Sequence, residues 1–335
     1  MFCGKDGEYH TRSKRNRLYM VHTLSMQPSR ANFSFSWLLV MLLAAGVAVA
    51  AQTSRVASHP SAQWQRATNH VGNNAPDAQV LVLEIGTGRL LASAHLAEAG
   101  RTLATPGSTL KPLILYYALR SKRWDEQRRV ACSRQLRIGS HQLNCSHPVT
   151  DPMNAEQALT WSCNSYFAEL AATLTPDELR RALSERNLLA ATGLTAQENV
   201  AQFREPITSQ QVQLSALGVE GIRVTLAELA ESYRSLANEL VAYPETSAAR
   251  VVRAGLADSA SFGMAGAAAL GGVPVAGKTG TASAESGGAT HGWFVGMAPA
   301  ESPQVILAIF LPSGRGADAA QVAANVLACS PLRKR

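Results

Sequence analysis

The sequence predicts a mixed α/β fold: one antiparallel sheet of about five strands, flanked by helices, with a helical subdomain inserted between its strands. Three observations predict it. Strand-like runs occupy the two ends of the ordered part, at 79–94 and 272–311. The stretch between, about 150–260, carries helical patterns with clear N-terminal caps. Tight Gly-containing turns join the runs at each end, so sequential strands pair antiparallel.

The elements follow in order. Gln79–Ile85 reads as a strand, Gly86-Thr87-Gly88 as a tight turn, and Arg89–Ala94 as a second strand. Thr105-Pro106-Gly107 then opens an apolar helical run that continues through Leu119. Ser133–Asn144 holds Gly139 and Ser140 between two alternating segments and reads as a hairpin. Thr175-Pro176-Asp177-Glu178 is a helix start, with a capping hydroxyl, Pro at the first position and acids in the first turn. Thr225 caps another helix, with Glu228 completing a capping box, and it runs through Ala237. Gly272–Ser283, Gly292–Ala298 and Gln304–Leu311 are three β-rich runs, the first two joined by Ala284–His291 as a hairpin loop. An amphipathic helix over Ala317–Ala328 closes the chain. A cleft between the sheet edge and the helical lobe is the expected place for a ligand.

The N-terminal part reads differently. Residues 37–51, WLLVMLLAAGVAVAA, carry no charge, and the run ends in the small residues of a signal-peptidase site. Phe33 and Phe35 lengthen the apolar stretch, so an uncleaved anchor over 33–51 stays open as a second reading. The leader before it is polar and basic, and Met26 opens a more ordinary signal peptide, which makes it the expected true start. The expected organisation is therefore a leader over 1–51, a polar linker over 52–76 and one domain over 77–335. The expected location is the periplasm or cell envelope. The net charge of +7 follows the leader: residues 1–51 hold six Lys/Arg and two acids, the rest 25 and 22. No nucleic-acid partner is expected from that balance. The stretch 120–137 is the local exception, with seven basic and two acidic side chains, either a solvated basic face or an attraction to anionic lipid or wall polymer.

Of five cysteines, Cys3 falls in the leader. Cys132 and Cys145 bracket the hairpin, and in an exported domain this predicts a disulfide between them. Metal binding competes, because His141 and His147 are near, but the spacing matches no familiar zinc pattern, and neither metal nor cofactor is expected. Cys163 is expected to stay a free thiol.

Three short motifs carry the chemistry: Ser108-Thr109-Leu110-Lys111, Ser162-Cys163-Asn164 and Lys278-Thr279-Gly280-Thr281. A serine hydroxyl needs a base to become a nucleophile. Ser108 lies at a helix start and Lys111 one turn on, so a neutral Lys111 amine can reach it. Ser162 offers a second hydroxyl to pass a proton, and the Asn164 amide both donates to and accepts from a peptide. In a strand, Thr279 and Thr281 share one side and Lys278 and Gly280 the other. The two hydroxyls can then hold one carboxylate, and Gly280 lets something approach closely. Each motif has a plain structural reading: a capping serine with a snorkelling lysine, an ordinary helix cap, an edge strand guarded by lysine. Together, in this order, they point to an acyl-transferring serine enzyme.

These residues resemble the transpeptidase domain of penicillin-binding proteins, within the penicilloyl serine transferase superfamily. The resemblance covers about 77–330 and includes TPGSTLKP at 105–112, WSCNSYFAEL at 161–170, GVEGIRVTLAELAESYRSLAN at 218–238, GKTGTAS at 277–283 and GWFVGMAP at 292–299. It implies Ser108 as the acylated nucleophile, Lys111 as its base and Ser162 as proton relay. It further implies Asn164 as substrate orienter, Lys278 and Thr279 with Thr281 as the carboxylate site beside Gly280, and the Ser108 and Thr281 N–H groups as the oxyanion hole. The implied substrate is the D-Ala-D-Ala end of a peptidoglycan stem peptide, with β-lactams as inhibitors that trap Ser108. A transpeptidase, a carboxypeptidase and a β-lactamase share the acyl-enzyme. Asn164 stands where class D β-lactamases usually carry an apolar residue. Glu198 and Asn199 are adjacent, unlike the spaced pair of a class A deacylating loop. A class D-like β-lactamase or β-lactam sensor, and a non-catalytic accessory protein, are the alternatives.

Overall fold

Strand β9, Val305–Leu311, is apolar at all seven positions, and all seven are buried. Such an unbroken run belongs in the middle of a sheet covered on both faces. In the computed structural model, which describes residues 61–72, 74–283 and 289–333, that is its place. The sheet order is β2-β1-β9-β8-β7, with β1 at Gln79–Glu84, β2 at Leu90–Ala94, β7 at Ala276–Ser283 and β8 at Thr290–Ala298. All four pairings are antiparallel. The sheet unites strands from both ends of the domain, as the sequence predicts.

Period-2 alternation divides the core into two layers. Leu81, Leu83, Trp293, Val295, Met297, Ile306, Ala308 and Phe310 face one core. Val80, Val82, Phe294, Leu307 and Ile309 face the other. The first core is shared with α2 (Leu96–Arg101), α3 (Lys111–Arg120), α4 (Ala155–Thr160), α5 (Asn164–Ala171) and α6 (Pro176–Ser184). It also includes α7 (Ser209–Ala216), α8 (Leu226–Ala242) and α9 (Ser247–Ser261). The second is covered by α10, Gly316–Ala328, and by α1, residues 61–72. Burying each Val, Leu or Ile on these faces stabilises the fold by about 1.5–3 kcal/mol.

Residues 61–72 depart from the linker reading. Trp64, Ala67, Thr68 and Val71 recur at helical spacing and are buried, so a mostly polar segment still presents one stripe to the core. Residues 1–59, with the expected leader, the Met26 start and the 33–51 segment, lie outside the described residues. Pro60–Arg335 forms one compact unit. Among the described residues no helix is long and apolar enough to cross a membrane.

The helical caps form as the sequence predicts. Thr175 and Glu178 at α6, and Thr225 and Glu228 at α8, each exchange side-chain and backbone bonds in a capping box. The hairpin is β3, Gln135–Ile138, paired with β4, His141–Asn144. A two-residue ribbon, β5 (Gln202–Phe203) with β6 (Ile222–Arg223), is too short for a periodic signal. Three of the seven basic side chains of the stretch 120–137 are paired within the fold: Arg120 with Glu185, Arg123 with Glu178 and Arg128 with Glu169.

Candidate active site

The first motif is held from three sides. Thr105-Pro106-Gly107 leads into a 3-10 turn, Gly107–Leu110, that passes directly into α3. Gly107 has φ 56°, and its N–H donates to Gly218 O at 3.0 Å. A Cβ at Gly218, itself at φ 68°, would lie 2.3 Å from Gly107 O, so the two backbones meet only because Gly218 has no side chain. Tyr233, fully buried on α8, donates its hydroxyl to Thr109 O at 2.8 Å. Its apolar surroundings hold the phenol well above its ordinary pKa, so it stays a donor. From β8, His291 Nε2 lies 2.8 Å from Thr105 O, and Trp293 Nε1 donates to the same oxygen at 3.0 Å. Burial lowers the His291 pKa, which favours the neutral ring. Within this clamp Gly107, Thr109 and Leu110 are buried, and Ser108 alone in the turn is partly exposed.

The Lys111 amine is buried and donates to Ser162 O at 2.7 Å, Ser162 Oγ at 3.2 Å and Asn164 Oδ1 at 2.7 Å. The sequence predicts a reach to Ser108. Instead, all the Lys111 hydrogen bonds among the described residues go to the second motif. Three acceptors use all three protons of an ammonium. Losing one proton frees a lone pair, which is what a base acting on Ser108 needs. Burial lowers the Lys111 pKa to about 8, against the opposing electrostatic pull of the nearby Cys145 sulfur.

The second motif occupies the joint between α4 and α5. Ser162 sits at φ 54°, a left-handed conformation that costs a non-glycine residue about 1–2 kcal/mol. That bend turns the chain so that Ser162 presents both its carbonyl and its hydroxyl to Lys111. The hydroxyl also accepts from Lys278 Nζ at 2.9 Å. Lys278 is fully buried on β7, and desolvation, then the nearby Lys111 charge, pushes its pKa well below the ordinary value.

Strand β7 is the edge of the sheet and carries the third motif. Lys278 and Gly280 face the nucleophile turn. A Cβ at Gly280 would stand 2.6 Å from Pro106 O, so the close approach that the glycine permits is that of the turn itself. Thr279 and Thr281 face the other side. Thr279 Oγ1 donates to Met264 O at 3.4 Å, and Thr281 Oγ1 accepts from Gly316 N at 2.8 Å at the start of α10. Thr281 is exposed, and with its oxygen so engaged its hydroxyl proton is left to donate outward.

Three motifs separated by up to 170 positions thus converge where the sheet edge meets the helical lobe. Residues 44–328 match the family of the penicillin binding protein transpeptidase domain. The chain belongs to that family. Similar solved folds include a peptidoglycan glycosyltransferase from Burkholderia ambifaria, with TM-score 0.69 and 20% identity over 81% of this chain and 93% of that one. The D,D-transpeptidase domain of a peptidoglycan glycosyltransferase from Eggerthella lenta gives 0.66 and 23% over 80% of each chain. The TP domain of Burkholderia pseudomallei penicillin-binding protein 3 gives 0.69 and 22% over 80% and 92%. At these identities the likeness shows the fold. No curated protein matches the chain.

In this transpeptidase domain the expected Cys132–Cys145 disulfide is not formed: Cys132, Cys145 and Cys163 are all free thiols. The hairpin does bring Cys132 and Cys145 together, but the start of α5 brings Cys163 to the same point, and that third thiol was invisible to spacing. Sequence reasoning also passed over Tyr233, His291 and Trp293, which position the nucleophile turn. Their only sequence signal is to stand inside or beside the quoted segments 218–238 and 292–299.

Proposed function

We propose that this chain is a penicillin-binding serine acyltransferase that acts on the D-Ala-D-Ala ends of peptidoglycan stem peptides through a Ser108 acyl-enzyme. The observation that carries the reading is Ser162 Oγ, held between the buried amines of Lys111 and Lys278 at 3.2 and 2.9 Å. Two depressed amines around one hydroxyl form a proton-transfer network, a costly arrangement for a structural core.

The proposed sequence is as follows. Neutral Lys111 takes the Ser108 proton as Ser108 Oγ attacks the carbonyl carbon of the penultimate D-Ala. Backbone N–H groups of Ser108 and Thr281 stabilise the oxyanion. The proton passes through Ser162 Oγ to the nitrogen of the departing D-Ala as its C–N bond breaks, leaving an ester on Ser108. Asn164 orients the peptide, and Lys278, Thr279 and Thr281 hold the terminal carboxylate. An acceptor amine then gives a transpeptidase, water a carboxypeptidase. The work is proposed to take place in the cell envelope, on peptidoglycan, with the 33–51 segment as signal or anchor.

A fluorescent penicillin tests this. It should label the chain at Ser108, and Ser108→Ala should abolish the label. Label retained by the alanine variant, mapped to another peptide, removes the assignment. Rapid hydrolysis of a chromogenic cephalosporin would favour the β-lactamase alternative.

A further inference from the structure

We propose that Cys132, Cys145, His147 and Cys163 form a structural zinc site that fastens the β3–β4 hairpin to the start of α5. One ligand atom from each residue lies within 4.8 Å of the other three. Three thiolates and one imidazole are a donor set for tetrahedral zinc. Zinc–sulfur bonds of about 2.3 Å set the sulfur–sulfur edge of such a tetrahedron at about 3.8 Å. Closing the four atoms onto an ion therefore takes movements of about 1 Å or less.

The surroundings are built for that role. His147 is 1% exposed, yet its Nε2 has no hydrogen-bond partner. A buried ring nitrogen without a partner is costly, and a metal ion satisfies it. Arg134 donates to His147 O and so holds the residue in place. Its Nη1 also lies 3.4 Å from the other ring nitrogen, Nδ1; because a guanidinium only donates, zinc on Nε2 requires Nδ1 to carry the proton and that contact to open. The sulfurs receive donors of their own. Asn164 N–H points at Cys145 Sγ at 3.2 Å, Arg134 N–H at Cys132 Sγ at 3.4 Å, and Ser165 Oγ at Cys132 Sγ at 3.8 Å. Donors to ligand sulfurs are the usual outer shell of a thiolate metal site.

The hairpin needs such a fastening. It is a separate two-stranded sheet of four residues a strand, and Ile138 is its one buried position. An isolated two-stranded hairpin is marginal in water. A disulfide between any two of the thiols would leave the third thiol and the imidazole without a partner; one metal ion serves all four. With four protein ligands the site is closed, which makes its role structural. What it holds is the second motif: Cys163 is flanked by Ser162 and Asn164, and Asn164 Nδ2 donates to Asn144 O at the end of β4 at 3.3 Å. The site stands whatever reaction the chain catalyses.

Metal content tests it. The full chain, made in zinc-supplemented medium and purified without a polyhistidine tag or chelator, should carry about one zinc per chain by plasma mass spectrometry. An organomercurial should release that zinc as it titrates three thiols. Cobalt(II) should replace it with the intense visible absorption and sulfur-to-metal charge transfer of a tetrahedral thiolate site. Cys132→Ser and His147→Gln should each lower zinc affinity at least tenfold. Should either variant fail to fold, the wild-type stoichiometry and cobalt spectrum decide alone. Folded wild-type chain that neither carries nor takes up zinc or cobalt, unchanged zinc affinity in folded variants, or a disulfide among the three cysteines by non-reducing mass spectrometry overturns the proposal.

Discussion

Lys111 and Lys278 donate to one oxygen, Ser162 Oγ, from 3.2 and 2.9 Å, and both are fully buried. Two ammonium groups that close in a low-dielectric site repel each other, so the arrangement favours losing a proton from one of them. The hydroxyl between them provides a path between the two amines.

The first prediction is a pH profile. If neutral Lys111 is the base, acylation by a β-lactam rises with pH through an apparent pKa of about 8 and then levels. At pH 7 the rate should be about a tenth of the plateau. The stability sign agrees. Between about 8 and the ordinary 10.5, the unfolded chain binds more protons at this lysine than the folded chain does, so its contribution to stability rises with pH there. Lys111→Arg cannot deprotonate and should slow acylation by about two to four orders of magnitude at every pH. Stopped-flow acylation against pH is the measurement, and a flat profile from pH 6 to 9 removes Lys111 as base.

The second prediction separates backbone from hydroxyl at Ser162. Its φ of 54° suits glycine. Ser162→Gly should therefore be about 1 kcal/mol more stable than Ser162→Ala, which keeps the left-handed strain. Both lose the bridging hydroxyl, and acylation should fall by about two orders of magnitude or more in both. Chemical denaturation and acylation rates, measured on the pair, read the two effects separately. Equal stability would mean that the strain is relieved elsewhere.

Tyr233→Phe tests the support beneath the nucleophile. The hydroxyl is the donor to Thr109 O, 2.8 Å away and buried. Its removal should cost about 1–2 kcal/mol and leave the ring packing intact. Because Thr109 follows Ser108, acylation should slow while the pH midpoint of about 8 set by Lys111 stays put. A shifted midpoint would place Tyr233 in the proton network.

Much of this was legible because it is local or periodic. The unbroken apolar runs Val80–Leu83 and Ile306–Phe310 mark strands buried on both faces, and Thr225 with Glu228 marks the start of α8 unaided. The three motifs could be recognised one at a time. Their partners could not. That Lys111 spends its protons on Ser162 and Asn164 depends on how α3 packs against the α4–α5 joint, which no spacing encodes. Cys163 meets Cys132 and Cys145 only because the hairpin folds back onto α5. Residues 61–72 were obscured by their polar majority, since four buried positions anchor the helix.

The last prediction concerns the glycine that joins the first and third motifs. A Cβ at Gly280 would lie 2.6 Å from Pro106 O and 3.0 Å from Thr109 Cγ2. Backbone cannot swing aside as a flexible side chain can, so β7 and the nucleophile turn must separate by several tenths of an ångström. Gly280→Ala should destabilise the fold by about 1–3 kcal/mol. It should also slow acylation by about tenfold or more, because the separation moves Lys278, two residues away on the same strand face, relative to Ser162. Gly86→Ala is the control: a Cβ there meets nothing within 4 Å, and both stability and labelling should be close to those of the unaltered chain. Thermal melts and penicillin labelling of the two variants read the difference. If Gly280→Ala labels as fast as Gly86→Ala, close packing of β7 against the turn is not what aligns the three motifs.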